Sequence, residues 1–491
     1  MGFNILQNKY SLKILLAKGI KMKILFVQNV WIEFLGTMSI SSILKENGHE
    51  CDLIIENNPK KIAKYVNESH PDIVGFYCMT GMHNWVIKVA KEIKKSSDIP
   101  IILGGPHSTF SPEIINEQSI DIICRGEGEY AVLELLNGMS RGEDITKIKN
   151  LWVKKNGKIY ENEMRPLIAD LDELPFPDRD LYYKYSFLRK STVKFFMTGR
   201  GCPFNCTFCF NHHLRKLYQN KGNYIRKRSV DNVIKEIKIV KEKFGISTVC
   251  FLDDTFNINF PWLKEFFDKY KKEVNIPYYC QIRGDIISEN LVKDLKSSGC
   301  FAVELGLESG NELLRKSVLK KNITNEQFIT GIKLLKKYGL IVRTNNMLCI
   351  PDETLENVFE TIDLNREMEV DVPWCSIFMS YPRLELTEYA ISKNLLDRNF
   401  DFNKMEFSLH RSSSLNIENK NQLENLHKFF YLAVKFPSLI PLIKILIKLP
   451  PNKLFYLIYG LSNIYINKVC FKYTPRYVLE LAIRSLPSKI I

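Results

Sequence analysis

Three cysteines stand close together in the segment GRGCPFNCTFCFN: Cys202, Cys206 and Cys209, in the pattern C-x3-C-x2-C. Thiolates are the ligands of iron–sulfur clusters, and one short loop at this spacing can wrap a cubane. Three protein ligands leave one iron open to a further ligand. The competing chemistry is zinc, but a structural zinc site closes with four ligands. His212 and His213 are the nearest candidates for that fourth position. The spacing, directly after a strand-like VKFFM, favours the cluster.

A second set of residues is notable for what it leaves out. Thr80-Gly81, Gly104-Gly105-Pro106-His107 and Gly126-Glu127-Gly128-Glu129 each follow a short apolar run. Glycine there lets the chain turn sharply and lets a bulky ligand approach the backbone.

The elements that must position these residues form two alternating series. From Lys23 to about residue 150, the runs KILFVQ, CDLII, IVGFYC, IPIIL and DIIC alternate with amphipathic segments near Thr37–Glu46, from Lys60, across Trp85–Lys94, near Pro112–Glu117 and near Tyr130–Asn137. That alternation predicts a doubly wound parallel sheet, whose ligands bind beyond the strands' carboxyl ends. Residues 151–190 read as a linker: Pro175 and Pro177 resist regular structure, and Tyr182, Tyr183 and Tyr185 supply packing surface. VKFFM, STVCFL, YYCQIR, FAVELGL, IVRTNNML and WCSIFMS then give six further strand–helix units over 191–395. They predict a partial (β/α)6 barrel with its active site at the strands' C-terminal ends. Residues 396–491 lose the alternation and read as mainly helical. The fold class expected is therefore α/β, in three parts.

Over 191–395 the chain resembles the radical SAM superfamily, whose cluster loop is C-x3-C-x2-C with an aromatic before the third cysteine, here Phe208. The resemblance implies a [4Fe–4S] cluster on Cys202, Cys206 and Cys209. S-adenosylmethionine (SAM) would chelate its open iron and be cleaved by one electron to a 5′-deoxyadenosyl radical. It further implies that Asp253 and Asp254 meet the SAM amino group, that Arg283 meets its carboxylate, and that Glu308 and Ser309 lie at the ribose. This chain departs from the family in three places. A glycine pair at the second barrel strand is absent. The usual Gly-x-Pro-Gly-Glu-Thr turn reads Cys349-Ile350-Pro351-Asp352-Glu353-Thr354, and the later Tyr-Pro-Gly-Thr reads Tyr381-Pro382-Arg383-Leu384.

Residues 22–150, placed before such a barrel, resemble the cobalamin-binding domain of the class B radical SAM methylases. The resemblance implies cobalamin contacts at Thr80, Gly81, Gly104, Gly105 and His107, although a loop histidine of this kind can equally be satisfied within the protein. The first loop, QNVWIEFLG, lacks the histidine that ligates cobalt in other cobalamin domains, so the cobalt is expected to have no protein histidine ligand. A degenerate domain that binds no cobalamin is the alternative.

Bulk properties set the surroundings. The chain has 491 residues, 45% hydrophobic and 25% charged, as expected of a folded multidomain protein. Its 12 cysteines come without a secretory pattern, which points to a reducing cytoplasm and to metal-binding rather than disulfide chemistry. Met22, directly before KILFVQ, reads as the true start. The net charge of +14 is spread through scattered lysines, so nucleic acid is not the expected partner. Residues 430–491 are apolar and basic with Glu480 as the single acid, which suits helices packed on the barrel or peripheral membrane contact.

Together these readings predict a C-methyltransferase on an unactivated carbon, using a 5′-deoxyadenosyl radical and methylcobalamin. It would take a small-molecule, lipid or peptide substrate, and its electrons from a low-potential donor such as ferredoxin or flavodoxin. The alternatives are a radical SAM cyclase or oxidoreductase on a lipid or porphyrin-like substrate, and a non-catalytic cobalamin sensor. An RNA methylthiotransferase would need a second cysteine set and an RNA-binding barrel, and neither is legible.

Overall fold

Residues 20–405 and 410–485 are described by a computed structural model. Residues 1–19, within the expected extension before Met22, lie outside them. The first sheet is parallel through β1 (Lys23–Gln28), β2 (Glu50–Ile55), β3 (Ile73–Tyr77), β4 (Ile101–Gly104) and β5 (Ile122–Cys124), in the order β2-β1-β3-β4-β5. Side chains alternate across it, as the pleat requires. Ile24 and Phe26 join a core with helices α1 (Leu35–Glu46) and α4 (Glu129–Ser140). Leu25 and Val27 face α2 (Pro59–Ser69) and α3 (His83–Lys94) on the other side. This is the doubly wound arrangement read from the sequence. The segment Pro112–Asn116 is a single 3-10 turn rather than an α-helix, and a short helix at Pro106–Phe110 precedes it.

Two antiparallel strands, β6 (Leu151–Lys155) and β7 (Lys158–Glu161), extend this sheet beyond β5. The expected domain boundary at 150 therefore falls inside the sheet, and the connector proper begins after residue 161. Its tyrosines pack onto the same domain. Tyr182 is fully buried and donates its hydroxyl to Gln28 at 2.8 Å, and Tyr185 donates to the Leu53 carbonyl at 3.0 Å.

The second sheet holds six parallel strands. β8 (Val193–Phe196) leads into a two-stranded ladder, β9 (Gly199–Arg200) with β10 (Arg226–Lys227), which brackets the cysteine loop and helix α5 (Phe210–Leu217). β11 (Thr248–Phe251), β12 (Tyr278–Gln281), β13 (Cys300–Glu308), β14 (Ile341–Leu348) and β15 (Val372–Ile377) follow, in the spatial order β15-β14-β13-β12-β11-β8. Val249, Phe251, Tyr278 and Val303 pack outward against the helices. Cys250, Tyr279 and Ala302 point the other way, toward Phe471 and Tyr473 from the C-terminal region. The open edge at β15 is covered by α6 (Lys420–Lys435), whose Leu423, Leu426, Phe429 and Phe430 share a core with Leu348, Cys375 and Ile377. Helices α7 (Ile440–Leu446), α8 (Lys453–Phe471) and α9 (Pro475–Ser485) complete the described chain.

Candidate active site

The cysteine loop is fastened at both ends. Gly201 sits at φ +93°, and a Cβ there would lie 2.3 Å from the Tyr224 carbonyl oxygen, so only glycine fits. Within the loop the Cys209 N–H donates to the Cys206 carbonyl at 3.1 Å. Thr207 donates its N–H to Leu319 at 3.1 Å and its hydroxyl to Val318 at 2.8 Å, and its carbonyl accepts from Leu386. Arg215, on α5, reaches back to Asn205 and the Pro203 carbonyl. Phe208 packs on the rim cluster that contains Met347, Ile350 and Phe378, so it anchors the loop.

All three cysteines are free thiols. Burial pushes the Cys209 thiol up to about 12, with the charges of Asp254, Cys206 and Cys202 adding to it. The Cys206 thiol is also raised, chiefly by burial, against the opposing charges of Lys321 and Arg283. The two histidines that could have closed a zinc site are engaged elsewhere. His212 lies 3.5 Å from Glu385, and His213 sits edge-on to Phe110. Among the described residues, no three His, Cys, Asp or Glu side chains gather tightly enough to hold a single ion. Thiolates that each bind a separate iron of a cubane need no such convergence.

The charged residues named from the sequence separate into two groups. Arg283 stacks its guanidinium 3.4 Å over the Phe204 ring of the cysteine loop and donates to Asp285 at 2.8 Å. Glu308, at φ +68°, pairs with Lys321 at 3.0 Å. Arg283, Glu308 and Lys321 all act on the Cys206 thiol, so they stand together at the cluster loop. Asp254 lines the central cavity, and burial raises its carboxyl above the usual range. Asp253 and Ser309 serve the frame instead. Asp253 accepts from the Thr198 N–H at 3.0 Å and hydroxyl at 2.6 Å and pairs with Lys227 at 3.0 Å. Ser309 is fully buried in a turn, its carbonyl accepting from Arg315 and its hydroxyl from the Asn311 N–H.

A cavity of about 490 Å³ lies between the two sheets. On one side it meets the strand-end glycines Gly104, Gly105, Gly126 and Gly128, and it runs on between the first sheet and helices α1 and α4. On the other it meets Met197, Gly201, Asn211, Tyr224 and Asp254 beside the cysteine loop. The walls are mainly apolar, and no histidine lines them. Charged ties close the two halves onto each other. Arg200 pairs with Glu127 at 2.8 Å and Glu129 at 2.6 Å, and Arg226 also pairs with Glu127 at 2.8 Å. Burial pushes the Glu127 carboxyl up, but the two guanidiniums outweigh it and hold the group below its ordinary range. The sequence displayed these residues in GEGE and GRGC, yet gave no sign that they pair across some seventy intervening positions.

Gly104 and Gly105 line the cavity, whereas Thr80, Gly81 and His107 do not. The Thr80 hydroxyl and His107 Nδ1 lie 3.0 Å apart, and the His107 ring stacks on His83 at 4.4 Å. The Gly81 N–H donates to His83 Nδ1 at 3.0 Å, and His83 Nε2 lies 3.1 Å from the Asn403 carbonyl. Burial pushes His107 down to about 3, so it is neutral at physiological pH. This group joins the first domain to the segment after the barrel.

At the two departures from the family turns the backbone is left-handed. Cys349, Asp352 and Arg383, each standing where the resembled pattern has glycine, adopt φ of +62°, +65° and +65°. Asp352 accepts from the Tyr389 hydroxyl, and Arg383 spends its side chain on Glu113 and the Phe110 carbonyl of the first domain.

Comparison with known proteins agrees with this architecture. The profile of the radical SAM superfamily matches residues 196–364, and that of the B12 binding domain matches residues 31–136. An uncharacterized methyltransferase, PH0819, of Pyrococcus horikoshii is 36% identical over 68% of this chain and 72% of its own length. The anaerobic magnesium-protoporphyrin IX monomethyl ester cyclase of Rubrivivax gelatinosus is 27% identical over 71% of this chain and 63% of its own length. The cobalamin-dependent SAM radical enzyme OxsB, solved with aqua-cobalamin and SAM bound, has the same fold: TM-score 0.67 at 18% identity, over 95% of this chain and 75% of that one. The chain belongs to the radical SAM superfamily, in the branch that carries an N-terminal B12-binding domain. It is an enzyme whose cofactors are a [4Fe–4S] cluster, SAM and cobalamin.

The residues present fit those groups. Three free thiols on one anchored loop suit a cubane with an open corner. Glycine is required at two points of the first domain's side of the cavity: a Cβ on Gly105 would lie 2.9 Å from the Cys78 carbonyl oxygen, and one on Gly126 would lie 1.9 Å from the Tyr218 hydroxyl.

Proposed function

We propose that this enzyme is a C-methyltransferase that transfers the methyl group of SAM to an unactivated substrate carbon. The observation that carries the reading is the shared cavity, which the strand-end glycines of the B12-binding domain and the flank of the cysteine loop line together. When bound, the cluster with SAM would supply hydrogen-abstracting radical chemistry, and the corrinoid would supply methyl-carrier chemistry. The chain's own side chains hold and enclose. Cys202, Cys206 and Cys209 would hold the cluster, and the Thr207 contacts keep their loop from shifting. Arg283, Glu308 and Lys321 present both signs of charge beside Cys206, which suits the ammonium and carboxylate of a zwitterion. Leu171, Leu174, Phe176 and Met197 give the cavity apolar walls, and holding both cofactor regions at one cavity would make the successive steps effectively intramolecular. The Arg200–Glu127–Arg226 group fixes the distance between the two cofactor regions.

The methyltransferase name of the 36%-identical relative supports methyl transfer. The similarity to a cyclase supports a second reading on the same domains, radical chemistry without net methylation. The substrate is a small molecule, lipid or peptide, the electron comes from a ferredoxin- or flavodoxin-like donor, and the cytoplasm is the setting that keeps that donor reduced. The test is anaerobic reconstitution with iron, sulfide and cobalamin, then reduction in the presence of methyl-deuterated SAM and a cell extract. S-adenosylhomocysteine and 5′-deoxyadenosine formed together, with label in an extract molecule, is the expected result. 5′-Deoxyadenosine alone would transfer the assignment to the cyclase class, and neither product would refute both.

A further inference from the structure

Exposed apolar side chains are unevenly spread on this protein. Of fifteen large ones among the described residues, nine fall between Phe436 and Tyr465. They form outward stripes at helical spacing. On and just beyond α7 these are Leu442, Ile445 and Leu449, and on α8 they are Leu454, Leu457, Leu461 and Tyr465. Steps of three and four residues put each set on one helix face. Burial of the opposite faces is already complete, since Ile443, Ile447 and Phe455 sit in the core shared with β15, and Ile466 and Cys470 pack beside Val372. Apart from Tyr465, whose ring lies 5.9 Å from that of Tyr431 on α6, the outward stripes are left without a partner among the aromatic and core contacts of the described residues. Ile445 is 64% exposed and Leu461 60%.

The charge around the stripes is of one sign. From Lys435 to Arg476 the chain has seven basic residues (Lys435, Lys444, Lys448, Lys453, Lys468, Lys472 and Arg476) and no acidic one. None of the seven forms an ion pair among the described residues; the nearest pair in sequence is Arg484 with Glu480. Lys444, Lys448, Lys453 and Lys468 are exposed and flank the apolar stripes. No helix of the described residues is long and apolar enough to cross a membrane.

We propose that α7 and α8 form a docking face for the surface of an anionic lipid bilayer, with the leucine and tyrosine stripes entering the headgroup boundary and the lysines meeting lipid phosphates. A helix that lies in the interface needs an apolar face flanked by cations, which is what these two helices present. A second copy of the chain would suit the face poorly. A two-fold contact would set this cationic surface against itself with no carboxylate to neutralise it.

The full-length, cluster-loaded protein is mixed anaerobically with vesicles of equal parts phosphatidylglycerol and phosphatidylcholine, or with phosphatidylcholine alone, and floated on a gradient. It should float with the anionic vesicles and not the neutral ones, and should be released at about 1 M salt, where the Debye length falls to about 3 Å. The double variant Leu457→Glu/Leu461→Glu, and separately Lys448→Glu/Lys453→Glu, should bind at least about tenfold more weakly. Leu313→Glu, which alters an exposed leucine on another surface, should bind as the parent does. All of these positions are exposed, and an unchanged thermal midpoint confirms that a variant has folded. Failure to float with anionic vesicles overturns the proposal, as does binding that the stripe variants leave intact. Light scattering supplies the remaining outcome: a dimer that Leu457→Glu/Leu461→Glu dissolves would show the face to be a contact between copies, and would also overturn it.

Discussion

The cluster loop concentrates its chemistry in a few side chains, and single substitutions there have sharply different expected effects. Alanine at Cys202, Cys206 or Cys209 removes one of three protein ligands. Each variant should lose the cluster's visible absorption and form no 5′-deoxyadenosine after anaerobic reconstitution, while keeping its far-ultraviolet circular dichroism. Glu353 behaves differently. It is buried after β14 with one carboxylate oxygen unpartnered, and burial raises its carboxyl to about 8. The folded protein therefore holds a proton that the unfolded chain releases near pH 4.5. Stability from this neutral form is complete below that range and is lost as pH climbs toward about 8. Glu353→Gln, neutral throughout, should flatten that decline and be relatively more stable at pH 8 than at pH 5, as read from urea midpoints. The turn that holds Glu353 carries altered residues at Cys349 and Asp352, both at positive φ. Asp352 tolerates the left-handed backbone because its short polar side chain suits that region, so Asp352→Gly should leave the thermal midpoint nearly unchanged and Asp352→Ala should lower it.

Elements meet across the cavity through a small number of close contacts. Gly126, at φ +70°, admits no side chain against Tyr218. Gly126→Ala should force the two sheets apart and reduce the cobalamin retained after gel filtration, while the cluster absorption stays as in the parent. Arg200→Met leaves Glu129 buried without its guanidinium and weakens the hold on Glu127. Removing one partner of a buried pair costs about 3–5 kcal/mol, so a lower thermal midpoint is expected together with cobalamin loss. These contacts were hidden in the sequence because Glu127 lies in the loop after β5 and Arg200 in β9, segments far apart in the chain. Strands could be read from their own residues, since a buried parallel strand is apolar throughout and a turn needs glycine or proline. Pairing across elements depends on how helices and sheets pack, and nothing within a single segment encodes it. The same reason explains Thr80 and His107. Their strand-end location was legible, but the stack with His83 that takes their side chains off the cavity was not.

At the scale of the molecule, the C-terminal helices complete the barrel as well as offering an outer face. The sheet is open at β15, and α6 closes that edge with Phe429, which is 2% exposed. Phe429→Ala should cost about 3–5 kcal/mol, the usual range for emptying a buried aromatic site. Because the lost packing lies against β15, the cysteine loop should still assemble its cluster at low temperature, and the deficit should appear as a lower thermal midpoint.

The amino-acid sequence alone determined the cluster loop, the two strand–helix series and the basic, apolar C-terminal tail. Each of these is written in neighbouring residues, through ligand spacing, apolar periodicity or composition. Only the tertiary structure decided that Asp254 rather than Asp253 lines the cavity, that β6 and β7 belong to the first sheet, and that Arg200 binds Glu127 and Glu129. It also decided which apolar faces of the last helices are buried and which meet solvent. Those outcomes arise from packing between segments far apart in the chain, where a side chain's role is set by what folds against it.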